Sequence, residues 1–246
     1  MNQNPMFSNI HTGEAYYDEV STASYKGICA KTFFLLAISV VVAIMTMFYL
    51  PEIIMAGNFD TFYLVLGISS IVGFISLMVG RVSESKAKYA SFIYALCEGL
   101  FLGTITLLID SLIPGASVIA VFSTLVIFTV MLTLFSTGII RVTNRYRGIV
   151  LSLGLSAIAI VLFTSIMSLF VDFSQYIGIL LLLEGFILIY GVISLALHFQ
   201  EAQYIVDRGA SKNAEWSVAL GLIVSIIYIY IRILRLVLIL ASRSRD

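Results

Sequence analysis

Apolar residues along this chain fall in long unbroken blocks, and the polar residues collect between them. The blocks lie at 32–50, 62–79, 89–109, 118–140, 149–171, 178–198 and 216–240. Each is near the roughly 17–25 residues that a helix needs to cross a bilayer, so the pattern predicts seven spanning helices. A transmembrane barrel would show shorter segments alternating in polarity, whereas these blocks are apolar on all sides. The connections are short, at 51–61, 80–88, 110–117, 141–148, 172–177 and 199–215, and Pro51 and Pro114-Gly115 predict turns in two of them. The expected architecture is an all-α integral membrane protein. It forms one bundle over 32–242 whose sequence neighbours pack as antiparallel neighbours, with a polar tail at 1–31 and a short tail at 243–246. Residues 2–24 contain no apolar core of the signal-peptide kind, so the first block reads as an uncleaved helix.

Composition agrees with the pattern. Hydrophobic residues make up 60% and charged residues 11% of 246, against about 45–50% and about 25% in soluble domains. Net charge is zero, but its placement is uneven. Lys26, Lys31, Arg81, Lys86, Lys88, Arg141, Arg145, Arg147, Arg208 and Lys212 all fall on one side, whereas the alternate connections carry Glu52, Asp60, Asp110 and Asp172. The positive-inside rule therefore predicts a cytoplasmic amino terminus and an external carboxyl terminus, with Arg243 and Arg245 dissenting. Cys29 and Cys97 have neither a zinc spacing nor a disulfide framework and are expected as small packing residues.

Three ionisable residues sit well inside apolar blocks: Glu98, Glu184 and Arg232. Charges at such depth are costly and mark either function or a structural tether. Counted inward from the external end of each block, Glu184 lies roughly 10 Å deep, Arg232 roughly 12 Å and Glu98 roughly 16 Å. Glu184 and Arg232 are thus expected to pair, Arg232 serving as an internal counter-charge. Glu98 has no evident partner, and a carboxyl in a low-dielectric setting favours its neutral form, which makes it the candidate proton- or cation-carrying group. Gly99 and Gly103 beside it form a small-xxx-small pair suited to close helix packing. At the basic side Arg81, Arg141, His198, Glu201, Asp207 and Glu215 could form a ring of titratable pairs. Within that ring Arg81, Arg141 and Glu215 are the candidate gate and His198 the candidate pH switch.

No zinc-protease pattern, Walker loop or serine elbow is present, and no lysine stands mid-helix for a retinal Schiff base. Neither enzyme activity, a cofactor nor nucleic-acid binding is expected, and no metal site is assigned.

Several segments together resemble the Bax inhibitor 1/YccA family, specifically its bacterial branch. They are Asn4-Pro5, Lys31-Thr32, the run from Tyr94 through Glu98 to Gly103, Thr137-Gly138-Ile139-Ile140-Arg141-Val142-Thr143, Glu215-Trp216, Gly221-Leu222, and Tyr230-Ile231-Arg232-Ile233-Leu234-Arg235-Leu236. The resemblance implies a seven-helix fold with the last helix central, placed in the bacterial inner membrane. It also implies a pH-sensitive calcium leak, restraint of cell death in eukaryotes, and in bacteria modulation of a membrane-bound AAA protease. The family places one acid at the end of the sixth helix and one inside the seventh, able to share a proton and to engage an arginine on the second. By spacing, those positions fall here on His198 and Arg232, two bases, with Arg81 as the second-helix arginine. Glu98 matches the family position, whereas Glu184 has no counterpart carried over from the family; it is read as the compensating charge and, with Glu98 and His198, as a candidate ion-path or proton-sensing residue. Family geometry would bring His198 near Arg232, whereas the depth count puts His198 much nearer the cytoplasm.

The expected function is a gated path for calcium or protons with Glu98 as its protonatable group and Arg232 as an internal tether. The alternative is a non-conducting regulator of a membrane protease or stress response, engaging its partner through the tail that carries Tyr16 and Tyr17.

Overall fold

The computed structural model describes residues 22–55, 59–170 and 177–243. Their helices are α1 (Tyr25–Met55), α2 (Phe59–Val82), α3 (Glu84–Leu112), α4 (Ala116–Ser136), α5 (Asn144–Met167), α6 (Ile177–Asp207) and α7 (Ala214–Arg243). All seven are long and apolar enough to cross a membrane, and the chain is a multi-pass membrane protein. Among the described residues the only β pairing is an isolated bridge between Thr22 and Ser211.

Most helices overrun their apolar blocks. A helix satisfies its own backbone in lipid and in water alike, and long charged side chains at its ends reach outward, so the end of the apolar stretch need not end the helix. The connection expected at 80–88 therefore shrinks to Ser83 alone, and α6 continues to Asp207. Pro51 does not turn the chain, contrary to expectation; it lies inside α1. In an apolar setting neighbouring groups make good the one hydrogen bond a proline removes, and the helix gains one more turn. Pro114 and Gly115 do turn it, Gly115 with φ of 86°.

The last helix is central. α7 touches α1, α2, α3, α4 and α6, and Leu220, Ile223, Ile229 and Leu234 along it are fully buried. Such packing gains little from the hydrophobic effect, because lipid tails are as apolar as the helix. Close approach and interhelical hydrogen bonds hold it instead. Ser91 of α3 donates to the Trp216 carbonyl at 3.4 Å, and the hydroxyls of Thr106 and Tyr230 share a hydrogen bond of 2.9 Å.

α1 and α3 pack closest where Gly99 and Gly103 face α1. A Cβ on Gly99 would stand 2.7 Å from the Ser39 carbonyl oxygen, and one on Gly103 2.5 Å from that of Ala43. Ser39 donates across this seam to the Ala95 carbonyl at 3.0 Å. Cys97 packs against Gly73 of α2, but Cys29 is exposed rather than enclosed at a helix contact.

Sequence neighbours are not all neighbours in space. Among the described residues α4 and α5 do not pack together; α4 lies against α3, α6 and α7, and α5 touches α6 alone. Small residues explain the α5 seam. Gly154 admits the Tyr190 ring, and the Tyr146 hydroxyl donates to the Ile193 carbonyl at 2.7 Å.

Candidate functional site

Among the described residues ion pairs form at three places. Near the end where α7 finishes, Glu184 of α6 is buried and meets two arginines of α7. Arg232 Nη1 lies 3.2 Å from Glu184 Oε2, and Arg235 Nε lies 2.9 Å from Oε1. Arg232 and Arg235 are three residues apart, hence on one face. The Arg232 guanidinium also stacks over the Tyr228 ring. Sequence depth pairs Glu184 with Arg232; Arg235 escapes it because a second cation near a helix end ordinarily snorkels to water.

At the opposite, basic end, α2, α6 and α7 meet through one arginine. Arg81 Nη2 donates to Glu201 Oε2 at 3.0 Å, and Nη1 donates to the Ser217 carbonyl at 3.1 Å. His198 Nδ1 lies 3.4 Å from the same Glu201 oxygen. Gly221 makes room for the group: a Cβ there would stand 2.8 Å from His198 Nδ1 and 2.9 Å from Arg81 Nη1. The guanidinium and carboxylate are each about one-third exposed, at 31% and 34%. The junction is therefore a wetted ion pair and not a dry one.

A few residues nearer the start of α7, Glu215 is almost fully buried and fastens the chain that leads into α1. It accepts from the Ser24 backbone N–H at 2.8 Å and from the Lys31 ammonium. Lys31 also donates to the Lys212 carbonyl at 3.0 Å, and Ala23 N–H donates to the Ala210 carbonyl at 2.8 Å.

The expected gate of Arg81, Arg141 and Glu215 is not one group. Arg141 is exposed and donates to the Gly138 carbonyl at 3.2 Å, while Arg81 and Glu215 belong to the separate clusters just described. Helical rotation, which block boundaries do not reveal, sends the three side chains to different neighbours. Glu98 is partly buried in α3 and interacts with Tyr94 one turn earlier. Among the described residues no cation pairs with it, no three His, Cys, Asp or Glu side chains gather as a metal site, and every buried side-chain polar atom has a hydrogen-bond partner.

The family model described as Bax inhibitor 1 like matches residues 4–242, nearly the whole chain. The chain belongs to that family. No curated protein and no solved structure matches it.

Within this Bax inhibitor 1 like bundle the spacing argument for the sixth- and seventh-helix acids needs correction. The α6 acid that meets the second-helix arginine is present, as Glu201, with His198 one turn earlier on the same face. Arg232 is not beside that junction. It lies 11 residues beyond Gly221, roughly 16 Å along α7, so it does not approach His198. The depth count, and not the motif spacing, places His198. The α7 positions that adjoin the junction are Ser217 and Gly221, which carry no charge.

Proposed function

We propose that this Bax inhibitor 1 like protein is a gated cation leak, for calcium or protons, closed at its basic end by Arg81, Glu201 and His198. One observation carries the reading: a single arginine of α2 bonds α6 through Glu201 and α7 through the Ser217 carbonyl. Protonating Glu201 removes the charge that holds Arg81, and α2 is then free to part from α6 and α7. Strong acidification is the opening signal, because the Arg81 ion pair keeps Glu201 ionised until the pH falls below the ordinary carboxylate range, and His198 lies against the same carboxylate.

Glu98, without a cationic partner, is the protonatable group farther along the path. The path follows the α2–α3 side, because two arginines against one Glu184 leave an excess positive charge at the other end of α6 and α7 that opposes divalent cations. Orientation follows the basic residues, with the junction at the cytoplasmic mouth, the carboxyl terminus outside, and the protein in a bacterial inner membrane.

Calcium and then proton flux into proteoliposomes across a pH series tests this. Wild-type flux should rise as pH falls. Glu201→Gln should be open at neutral pH, about fivefold above wild type, as expected from losing an ion pair of about 1 kcal/mol at this exposure. Glu98→Gln should flatten the pH response. Identical background flux in all three proteins would sink the channel reading.

A second reading, a non-conducting regulator of a membrane-bound AAA protease or stress pathway, is favoured by the fastening of Ala23 and Ser24 to the start of α7. That strap fixes Ala23 and Ser24 against the segment that opens α7. Tyr16 and Tyr17 lie outside the described residues. If deleting residues 2–21 left every co-purifying partner in place, this reading would lose its support.

A further inference from the structure

Among the described residues α1 and α4 do not pack against each other. Between them lies a cavity of about 700 Å³, floored by α6 and α7 through Ala202 and Leu222. Its walls include Phe33 of α1 and Leu125 and Leu132 of α4. These three side chains are also exposed on the membrane-facing surface, at 74%, 51% and 43%, so the cavity opens sideways toward lipid.

The inner surface is dry in character. Thr32 donates to the Ile28 carbonyl at 2.9 Å and Thr124 to that of Ala120 at 2.7 Å, so both hydroxyl protons are spent within their own helices and neither is left to donate to a solute. An apolar space of this kind is a poor site for water, which needs polar partners.

Its length is that of one leaflet. Along α1 the lining runs from Tyr25 to Leu36, and along α4 from Ser136 to Thr124. At 1.5 Å per residue these are roughly 16 Å and roughly 18 Å, about half of a 30 Å hydrocarbon core. Of the polar lining residues, Tyr25, Gln203 and Ser136 lie at the basic end.

Two exposed cations lie close in sequence to lining residues at this end, Lys26 next to Tyr25 and Arg141 five residues beyond Ser136. Lys26 shares a helical stripe with Phe33, seven residues on. Neither has an ion-pair partner among the described residues. Asp207 on α6 bears on Tyr25, which leaves an excess of positive charge.

We propose that this groove holds one acyl chain of an anionic phospholipid from the leaflet at the bundle's basic end, with Lys26 and Arg141 against the headgroup. Bulk lipid is as apolar as the groove, so selection comes from its shape and from the charge at its mouth. The proposal goes beyond the leak and does not depend on it.

Native mass spectrometry of the full-length protein, titrated in detergent with phosphatidylglycerol or phosphatidylcholine of identical chains, tests it. Wild type should retain one phosphatidylglycerol at about one-tenth of the phosphatidylcholine concentration needed. Lys26→Gln with Arg141→Gln should bring the two lipids level, and Ala202→Phe, which fills the floor, should abolish retention. Leu125→Trp, at the exposed rim and away from the core, should also reduce retention and serves where Ala202→Phe does not fold. Equal retention of both lipids by wild type overturns the proposal, as does unchanged phosphatidylglycerol retention by a folded groove variant.

Discussion

Glu184 is held by two arginines whose surroundings differ. The Arg232 side chain is 18% exposed and that of Arg235 54%. Breaking a buried pair strands a charge and costs roughly 3–5 kcal/mol, whereas an exposed pair contributes about 0–1 kcal/mol. Glu184→Gln should therefore lower unfolding free energy by roughly 3 kcal/mol and Arg235→Gln by less than about 1 kcal/mol. Denaturant unfolding in micelles checks both, and equal losses would show that Arg235 is no mere auxiliary. Counting rise along two blocks was enough to pair Glu184 with Arg232, since an intramembrane arginine must find an acid at its own depth. The Arg81–Glu201 junction was not legible in that way. Near a membrane surface several charges share a depth, and which pair forms depends on rotation about each helix axis.

At the scale of elements, the closest seam is the one that Gly99 and Gly103 make with α1. Gly103→Ala puts a methyl group 2.5 Å from the Ala43 carbonyl oxygen, and overpacking of this kind costs roughly 1–3 kcal/mol. Gly185→Ala, by contrast, meets nothing within 4 Å and should gain roughly 0.5–1 kcal/mol from helix propensity alone. Thermal unfolding in detergent should move the two variants in opposite directions; no loss for Gly103→Ala would mean that the α1–α3 seam yields. The glycine spacing suggested close packing without naming a partner, because any helix could fill the gap. Pro51 failed as a turn signal for a related reason: local propensity bends to an apolar surrounding that rewards continued helix.

At the scale of the molecule, among the described residues α7 is enclosed by five helices while α5 leans on α6 alone. Hydrogen exchange in a bilayer mimetic should be slowest for α7 and fastest for α5 among the seven, because local opening is easiest where few contacts resist it. Uniform protection would contradict this order. The sequence by itself determined that the chain crosses a membrane as seven helices, that the basic residues of its connections share one end, and that Arg232 requires an acid. Each of these follows from desolvation, a property of single segments in lipid. Only the tertiary structure decided that Glu201 closes on Arg81, that Glu215 fastens the start of α1, and that α4 and α5 part company. These outcomes depend on which helix faces which, and in a bilayer that choice rests on side-chain shape and hydrogen bonds, not on hydrophobic burial legible along the chain.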